Sequence, residues 1–147
     1  MTIHEAAAVG NLEQVKRILC ANPDHVHLRD SHGQTPLHVA ADENQVEVAR
    51  LLLEKGADPN ARNKGGTLEE TSVPGGWSPL DITAMALRDY AKSGAIAELL
   101  IAHGADIDDD SNDMQWPPLF IAVREGNYVV EDILRRHGAT WGRDSGS

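Results

Sequence analysis

Residues 30–61 read DSHGQTPLHVAADENQVEVARLLLEKGADPNA, and this stretch decides the fold. It opens with turn-forming residues at 30–33. Thr35 can cap a helix through its side-chain oxygen, and Pro36 takes the first helical position, where its missing N–H costs nothing. Leu37 then begins an apolar face at helical spacing. The first half of the stretch therefore predicts a turn followed by a short helix.

The second half predicts another helix. Polar residues at 42–45 interrupt the apolar pattern, which resumes at 46–53. It ends at Gly56, where a left-handed backbone conformation is wanted. Neither short helix can bury its apolar face alone, so the helix–turn–helix pair must stack on copies of itself.

Copies are present on both sides of this stretch. The pattern of the first helix recurs at 3–7, 77–84 and 116–123. Second helices are predicted to follow these copies at 15–19, 96–102 and 129–136. The chain therefore divides into four units, at about 2–29, 30–62, 63–110 and 111–141.

The tetrapeptide Thr-Pro-Leu-His at 35–38 and the Gly-Ala-Asp ending at 56–58 stand at the spacing of the ankyrin repeat family. The chain resembles this family over about residues 2–141. The resemblance implies an all-α fold, an ankyrin-repeat solenoid of four stacked helix-turn-helix units joined by β-hairpin-like loops. We expect one domain over residues 1–141, with units one and four closing the stack and a flexible tail at 142–147.

Two insertions depart from the family period of about 33 residues. About ten extra residues separate Thr35 from Ser78, and the glycine-rich segment 64–76 is expected to hold them as an extended hairpin finger. About six more fall within 85–92, where they would lengthen the third unit's first helix or the turn after it. The repeat motif itself also changes, through Asp81 and Phe120 in place of the histidine and Pro117 in place of the capping threonine.

The net charge is −10 and the pI is near 5.0. This acidity argues against sequence-independent nucleic-acid binding and against an anionic membrane surface, which both need a basic patch. A basic partner protein would be steered toward the chain. The alternative is that the acidity serves only solubility.

The single cysteine and the N-terminal residues indicate which cellular compartment to expect. Cys20 is the only cysteine, which excludes an internal disulfide and a cysteine-rich zinc site. The first residues lack the basic and apolar regions of a signal peptide, and no segment approaches the ~20 apolar residues of a membrane span. We expect a cytoplasmic protein that is monomeric on its own.

The histidines and carboxylates predict no catalytic, cofactor or metal site. The resemblance implies that His38 is tied to the neighbouring backbone and to the threonine hydroxyl, and His4 takes the equivalent place in unit one. The pair His25 and His27 could share one side of an extended segment but lacks a third ligand. The acidic run at 106–112 lacks the glycine and glutamate of a calcium loop. No catalytic triad, phosphate loop or zinc-protease motif is present.

The resemblance further implies a binding surface, the concave face, made of the finger tips and the exposed side of each first helix. Trp77 and Trp116 stand at the same place in successive units, directly before the helix cap. They are either exposed anchors of a hot spot, or packed under the 64–76 loop or against a neighbouring finger. We also expect an acidic rim beside Trp116, formed by Asp108, Asp109, Asp110 and Asp113. The predicted protein-binding residues are Ser31, His32, Gln34, Asp42, Glu43, Lys64, Trp77, Met85, Ala86, Tyr90, Asp109, Asp110, Met114, Gln115, Trp116, Arg124 and Glu125.

The preferred functional interpretation is a non-catalytic protein–protein interaction module, acting as a scaffold, adaptor or inhibitor. A narrower version is an acidic inhibitor or immunity-type protein that neutralises a basic enzyme or toxin. The alternative of another class is a metal-binding or enzymatic protein that uses the inserted loops.

Overall fold

A computed structural model describes residues 1–68 and 71–140 of the chain, without the side chains of 66–73. Trp141 and the predicted tail at 142–147 lie outside the described residues. Within that described part, each unit contributes two α-helices. The helices are α1 (Ile3–Val9), α2 (Leu12–Ala21), α3 (Pro36–Asp42), α4 (Val46–Glu54), α5 (Pro79–Ala84), α6 (Tyr90–Ala102), α7 (Pro118–Glu125) and α8 (Tyr128–Arg136). A 3₁₀ turn at Pro23–His27 follows α2.

The helix starts follow from local capping chemistry. The Thr35 hydroxyl accepts the backbone N–H of His38, and the Ser78 hydroxyl accepts that of Asp81, so both caps hold the first turn. Pro117 occupies the same position before α7 and makes no side-chain cap, as its residue type predicts. Gly56 follows α4 with φ +94°, a backbone conformation that residues other than glycine rarely adopt.

The helices form two layers that run along the stack. The first helices α1, α3, α5 and α7 pack in order on one side, and the second helices α2, α4, α6 and α8 pack in order on the other. The core lies between the layers, and its largest fully buried aliphatic side chains are Ile3, Leu37, Leu52, Leu80, Ile96, Leu100, Leu119, Ile121 and Leu134. The all-α solenoid predicted from the sequence is therefore confirmed.

The first insertion contains a two-stranded antiparallel hairpin. Strand β1 (Gly66–Leu68) pairs with β2 (Thr71–Val73), with Gly66 opposite Val73 and Leu68 opposite Thr71. The hairpin lengthens the connection between the second and third units, which is where the repeat period is exceeded.

The second insertion lies in a turn and in the start of α6. The first helix of the third unit, α5, ends at Ala84, so it is not lengthened. The expected start of the second helix at residue 96 is wrong, since α6 begins at Tyr90. Asp89 supplies this earlier start, because its side chain accepts the backbone N–H of Lys92. The first turns of α6 contain Ser93 and Gly94, and residues of these types are typical of loops, so the sequence pattern did not indicate a helix there.

Gly94 allows α6 and α8 to approach closely. A Cβ atom at this position would lie 2.7 Å from Cγ1 of Val129 and 3.2 Å from Cδ1 of Ile133. The absence of a side chain is therefore a packing requirement between the third and fourth units.

No helix among the described residues is long and apolar enough to cross a membrane.

Candidate protein-binding face

The motif histidine joins consecutive units. The backbone N–H of Thr35 donates to Nδ1 of His38 at 3.0 Å, so the ring proton lies on Nε2. Nε2 then donates to the carbonyl oxygen of Trp77 in the next unit at 2.8 Å. Burial lowers the pKa of His38 to about 4, although the bond to Trp77 opposes this shift. His4 repeats the contact, with Nε2 at 2.8 Å from the carbonyl oxygen of Gln34. The neutral His38 ring therefore links the second unit to the third, and His4 makes the same link between the first and second units.

The third unit makes the same joint with two side chains. Asp81, fully buried, accepts the backbone N–H of Ser78 at 3.1 Å, as His38 accepts that of Thr35. Its carboxylate does not contact the next unit's carbonyl directly. Instead, the amide of Asn112 donates both to Asp81, at 3.4 Å, and to the carbonyl oxygen of Trp116, at 2.7 Å. Asn112 therefore completes the link that the histidine makes alone.

Arg62 connects this buried carboxylate to two fingers. Its guanidinium donates to the carbonyl oxygen of Gly76 at 2.6 Å, lies 3.9 Å from Asp81 and pairs with Asp109. Even so, Oδ1 of Asp81 is buried without a hydrogen-bond partner among the described residues. Burial raises the pKa of Asp81 to about 6, against the opposing effects of the Ser78 N–H and Arg62.

The two tryptophans contact each other across the third and fourth units. Their ring centroids are 6.2 Å apart with the planes tilted by 40°, and each ring is half-buried. The guanidinium of Arg124 lies 4.8 Å from the Trp116 ring centroid, in cation–π geometry, and it also pairs with Glu125 at 2.7 Å. The two rings are therefore neither fully exposed nor fully buried, and they pack on each other.

Phe120 extends this contact and was missed as a site residue. Its ring centroid lies 5.2 Å from that of Trp116. The replacement of the motif histidine by an aromatic residue in unit four was the signal that could have identified it. We call the cluster of Trp77, Trp116, Phe120 and Arg124 the aromatic ledge.

A groove of about 360 Å³ lies between the second and third units. Four predicted residues line it, namely Gln34, Asp42, Met85 and Ala86, together with Asn44, Asn63, Ile82, Leu87 and Arg88. Asn44 has a left-handed backbone with φ 56°, and its amide donates to the carbonyl oxygen of Arg88 at 2.9 Å. Its Oδ1 atom is buried with no hydrogen-bond partner among the residues described.

The finger residues lie at the edge of this face. Ser31, His32 and Lys64 are exposed, and the backbone N–H of Lys64 donates to the carbonyl oxygen of His32 at 2.9 Å, which ties two fingers together. Met114 is 39% exposed and Gln115 is exposed with a left-handed backbone, φ 57°. Glu43 is exposed at the end of α3.

Most carboxylates of the predicted acidic rim make contacts within the molecule. The carboxylate of Asp109 pairs with Arg62, Asp113 accepts the backbone N–H of Gly75 at 2.8 Å, and Asp108 accepts that of Thr140 at 2.8 Å. Burial raises the pKa of Asp109, but hydrogen bonds from Ser111 and Arg62 outweigh it and leave the pKa below its usual value. Three of the four carboxylates of the predicted rim thus already have partners within the molecule, although Asp108 and Asp113 are still exposed. Asp110 is also exposed.

Tyr90 does not join the tryptophans. Its ring packs edge-on against Tyr128, with centroids 5.4 Å apart. Trp77 precedes α5 and Tyr90 follows it, so the two lie at opposite ends of that short helix. The six residues of α5 separate these ends by about 9 Å.

A family model described as ankyrin repeats (3 copies) matches residues 1–63. A protein of Rickettsia felis that is named as an ankyrin repeat protein is 35% identical over 109 residues, which is 71% of this chain and 42% of that protein. The chain belongs to the ankyrin repeat family. The links that His4 and His38 make between units therefore belong to ankyrin repeats, and the contact of Asp81 with Asn112 is a variant of these links.

Other relatives carry more specific names. Human protein phosphatase 1 regulatory subunit 27 is 44% identical over 66 residues, which covers 45% of this chain and 42% of that protein. The rat ankyrin repeat and SAM domain-containing protein 6 is 35% identical over 105 residues, which is 71% of this chain and 10% of that protein. The matched stretch thus spans less than half the length of each of these relatives.

The ankyrin scaffold brings together no metal-ligand cluster of three or more His, Cys, Asp or Glu in the part of the chain that the structure describes. Cys20 is an exposed free thiol at the end of α2.

Proposed function

We propose that this chain is a non-catalytic protein-interaction module that binds a partner protein through its concave face. The ankyrin repeats and the phosphatase regulatory-subunit relative support a protein-interaction role. The observation that carries the proposed site is the contact between Trp77 and Trp116, which sets two half-buried aromatic rings side by side on adjacent units. Tryptophan and arginine are the residue types most enriched in binding hot spots.

The aromatic ledge supplies a preformed anchor. Trp116 is fixed between Trp77, Phe120 and Arg124, so a partner would bind a rigid surface and lose little side-chain entropy there. The polar members of the remaining predicted face, such as Ser31, Gln34 and Glu43, would surround the ledge and exclude water from it.

The groove beside Met85 would receive a lysine or arginine side chain of the partner. Asp42 supplies a carboxylate to its lining. Ile82 and Leu87 offer apolar surface for the aliphatic stem of such a side chain. The net charge of −10 would add long-range attraction for a basic partner.

An inhibitory role is the second candidate. The observation that favours it is the 44% identity to a regulatory subunit of an enzyme, protein phosphatase 1, over part of its length. Here the partner would be a basic enzyme or toxin, and occupation of the concave face would block it. A scaffold or adaptor would bind without changing the partner's activity.

The test is affinity capture followed by reconstitution. Tagged wild-type chain and the Trp77→Ala, Trp116→Ala double variant are compared at moderate salt, and each captured protein is purified and titrated against the chain. We expect a loss of affinity of at least ~100-fold in the double variant, since hot-spot truncations cost about 2 kcal/mol or more each. Its circular dichroism must match that of the wild type.

The matched control is Tyr128→Ala. Tyr128 is 67% exposed but packs against Tyr90, away from the ledge, so its loss should leave affinity within about twofold. If the double variant binds as tightly as this control, the proposed site is wrong. If the captured protein is an enzyme, its activity with and without the chain distinguishes an inhibitor from a scaffold.

A further inference from the structure

One buried carboxylate is linked to both tryptophans of the ledge. Asp81 contacts Asn112, which holds Trp116 by two hydrogen bonds, to its carbonyl oxygen at 2.7 Å and from its N–H at 3.0 Å. Asp81 also lies 3.9 Å from Arg62, whose guanidinium donates at 2.6 Å to the carbonyl oxygen of Gly76, the residue before Trp77. The charge on Asp81 therefore acts on the attachments of both rings.

We propose that Asp81 is a proton-sensitive positioning residue for the Trp77–Trp116 pair, so that the geometry of the aromatic ledge changes with the protonation state of this carboxyl group. The inference rests on the proposed function, because it concerns the regulation of the same site.

The geometry provides a reason for the carboxyl group to take up a proton. Asp81 is fully buried, and its Oδ1 atom has no hydrogen-bond partner among the described residues. An ionised carboxylate with one unsatisfied oxygen costs more in a buried site than a neutral carboxyl group does. Arg62 offsets this cost incompletely, because its guanidinium is shared with Asp109. The pKa of Asp81 is raised accordingly, to about 6.

The surrounding charged groups leave Asp81 as the group that titrates at this joint. Arg62 faces it from the segment after α4, and Asp109 acts through the same guanidinium. On α3, Asp42 is exposed at the end of the helix. His38 of the same helix faces the preceding joint, and burial holds its pKa at about 4, so it stays neutral where Asp81 titrates. The charged side chains of α6, α7 and α8 pair elsewhere, as Lys92 with Asp89, Glu98 with His137, Arg124 with Glu125, Arg135 with Glu131 and Arg136 with Asp132.

Protonation would weaken both attachments. The neutral carboxyl group no longer attracts Arg62, which is then free to move toward Asp109 and to loosen its bond to the carbonyl oxygen of Gly76. It is also a weaker acceptor for the amide of Asn112. Both changes relax the positions of the two rings relative to each other.

The test is an NMR titration of the full chain without any partner. In a Trp141→Phe background, the two remaining indole ¹⁵N–H resonances and the carboxyl ¹³C resonance of Asp81 are followed from about pH 4.5 to 8. We expect all three to shift with one common midpoint near pH 6. An Asp81 midpoint at the low end of this range, or indole resonances that do not follow it, would overturn the proposal without any variant at position 81.

Two variants assign the titration. Asp81→Asn should abolish the indole shifts, whereas a surviving transition would trace them to a histidine and refute the role of Asp81. Asp109→Asn should retain the shifts with a lower midpoint, because Arg62 is then free to favour the ionised form of Asp81. Loss of the shifts in that variant would assign them to Asp109 instead. Since no partner is present, the result stands apart from the outcome of the binding test.

Discussion

The imidazole of His38 lies between its own unit and the next, with Nε2 at 2.8 Å from the carbonyl oxygen of Trp77. The carbonyl that it holds belongs to the first of the two ledge tryptophans. In the third unit, Asn112 holds the equivalent carbonyl, that of Trp116. The same side chains that stack the units therefore also fix the backbone of the proposed binding residues.

The substitution His38→Ala should destabilise the fold. It leaves the Trp77 carbonyl and the Thr35 N–H without their partner in a buried joint, so the free energy of unfolding should fall by about 2–4 kcal/mol. Urea denaturation followed by circular dichroism measures this change. His137→Ala is the matched control, because that exposed side chain at the end of α8 should contribute about 0.5 kcal/mol or less. Equal effects of the two substitutions would contradict the joint.

The pH dependence of stability should contain two opposing contributions. The pKa of His38 is lowered to about 4 in the folded chain, so the unfolded chain takes up more protons and stability falls as pH drops from about 6.5 to 4. The pKa of Asp81 is raised to about 6, so the folded chain takes up more protons and stability falls as pH rises from about 4 to 6. Each contribution is on the order of 3 kcal/mol at full development.

Single variants should reveal the two slopes. In His38→Gln, only the Asp81 contribution remains, so the chain should lose stability as pH rises from about 4 to 6. In Asp81→Asn, only the His38 contribution remains, so the chain should gain stability as pH rises over the same range. Urea unfolding at several pH values gives both curves. Slopes of the same sign in the two variants would show that one of the two assignments is wrong.

The substitution Gly94→Ala should destabilise the chain despite the higher helix propensity of alanine. The added Cβ would lie 2.7 Å from Cγ1 of Val129, and overpacking of this kind costs about 1–3 kcal/mol, more than the propensity gain of up to about 1 kcal/mol. Thermal unfolding should therefore shift to lower temperature. The double variant Gly94→Ala, Val129→Ala restores the space and should be more stable than the single Gly94 variant. A stable single variant would mean that α6 and α8 are not held at this distance.

The substitution Asn127→Ala should cost more than the same change at Asn11. Both side chains cap a second helix, but Asn127 is fully buried and its amide also faces the carbonyl oxygens of Thr83 and Ala86 and the hydroxyl of Ser93, at 3.2–3.4 Å. We expect a loss of about 3 kcal/mol for Asn127 and about 1 kcal/mol for the exposed Asn11. Chemical denaturation of the two variants compares them, and a reversed order would contradict the role of the buried amide.

Much of the fold could be predicted because its signals are local. Thr35 and Ser78 cap their helices through residues three positions later, and Gly56 ends α4 through its own backbone conformation. The start of α6 was predicted too late because Gly94 resembles a loop residue. Its place within a helix depends on the close approach of Val129, which lies in another unit.

The positions of the candidate site's tryptophans could be predicted from the sequence, but their packing and contacts could not. The places of Trp77 and Trp116 before the helix caps could be counted along the chain, whereas their mutual tilt and the contacts with Phe120 and Arg124 could not. The acidic loop shows the same limit, because the sequence does not reveal that Asp109 pairs with Arg62.

The sequence by itself determined the number of units, the order of their helices and the absence of the motif histidine from the last two. These features depend on residue types within about one turn of each other, which a linear pattern records. Only the tertiary structure decided how Asp81 is compensated, which carboxylates remain exposed and which side of each tryptophan is covered. Those outcomes depend on contacts between residues in different units, and the distances that set burial, pairing and pKa exist only once the units are stacked.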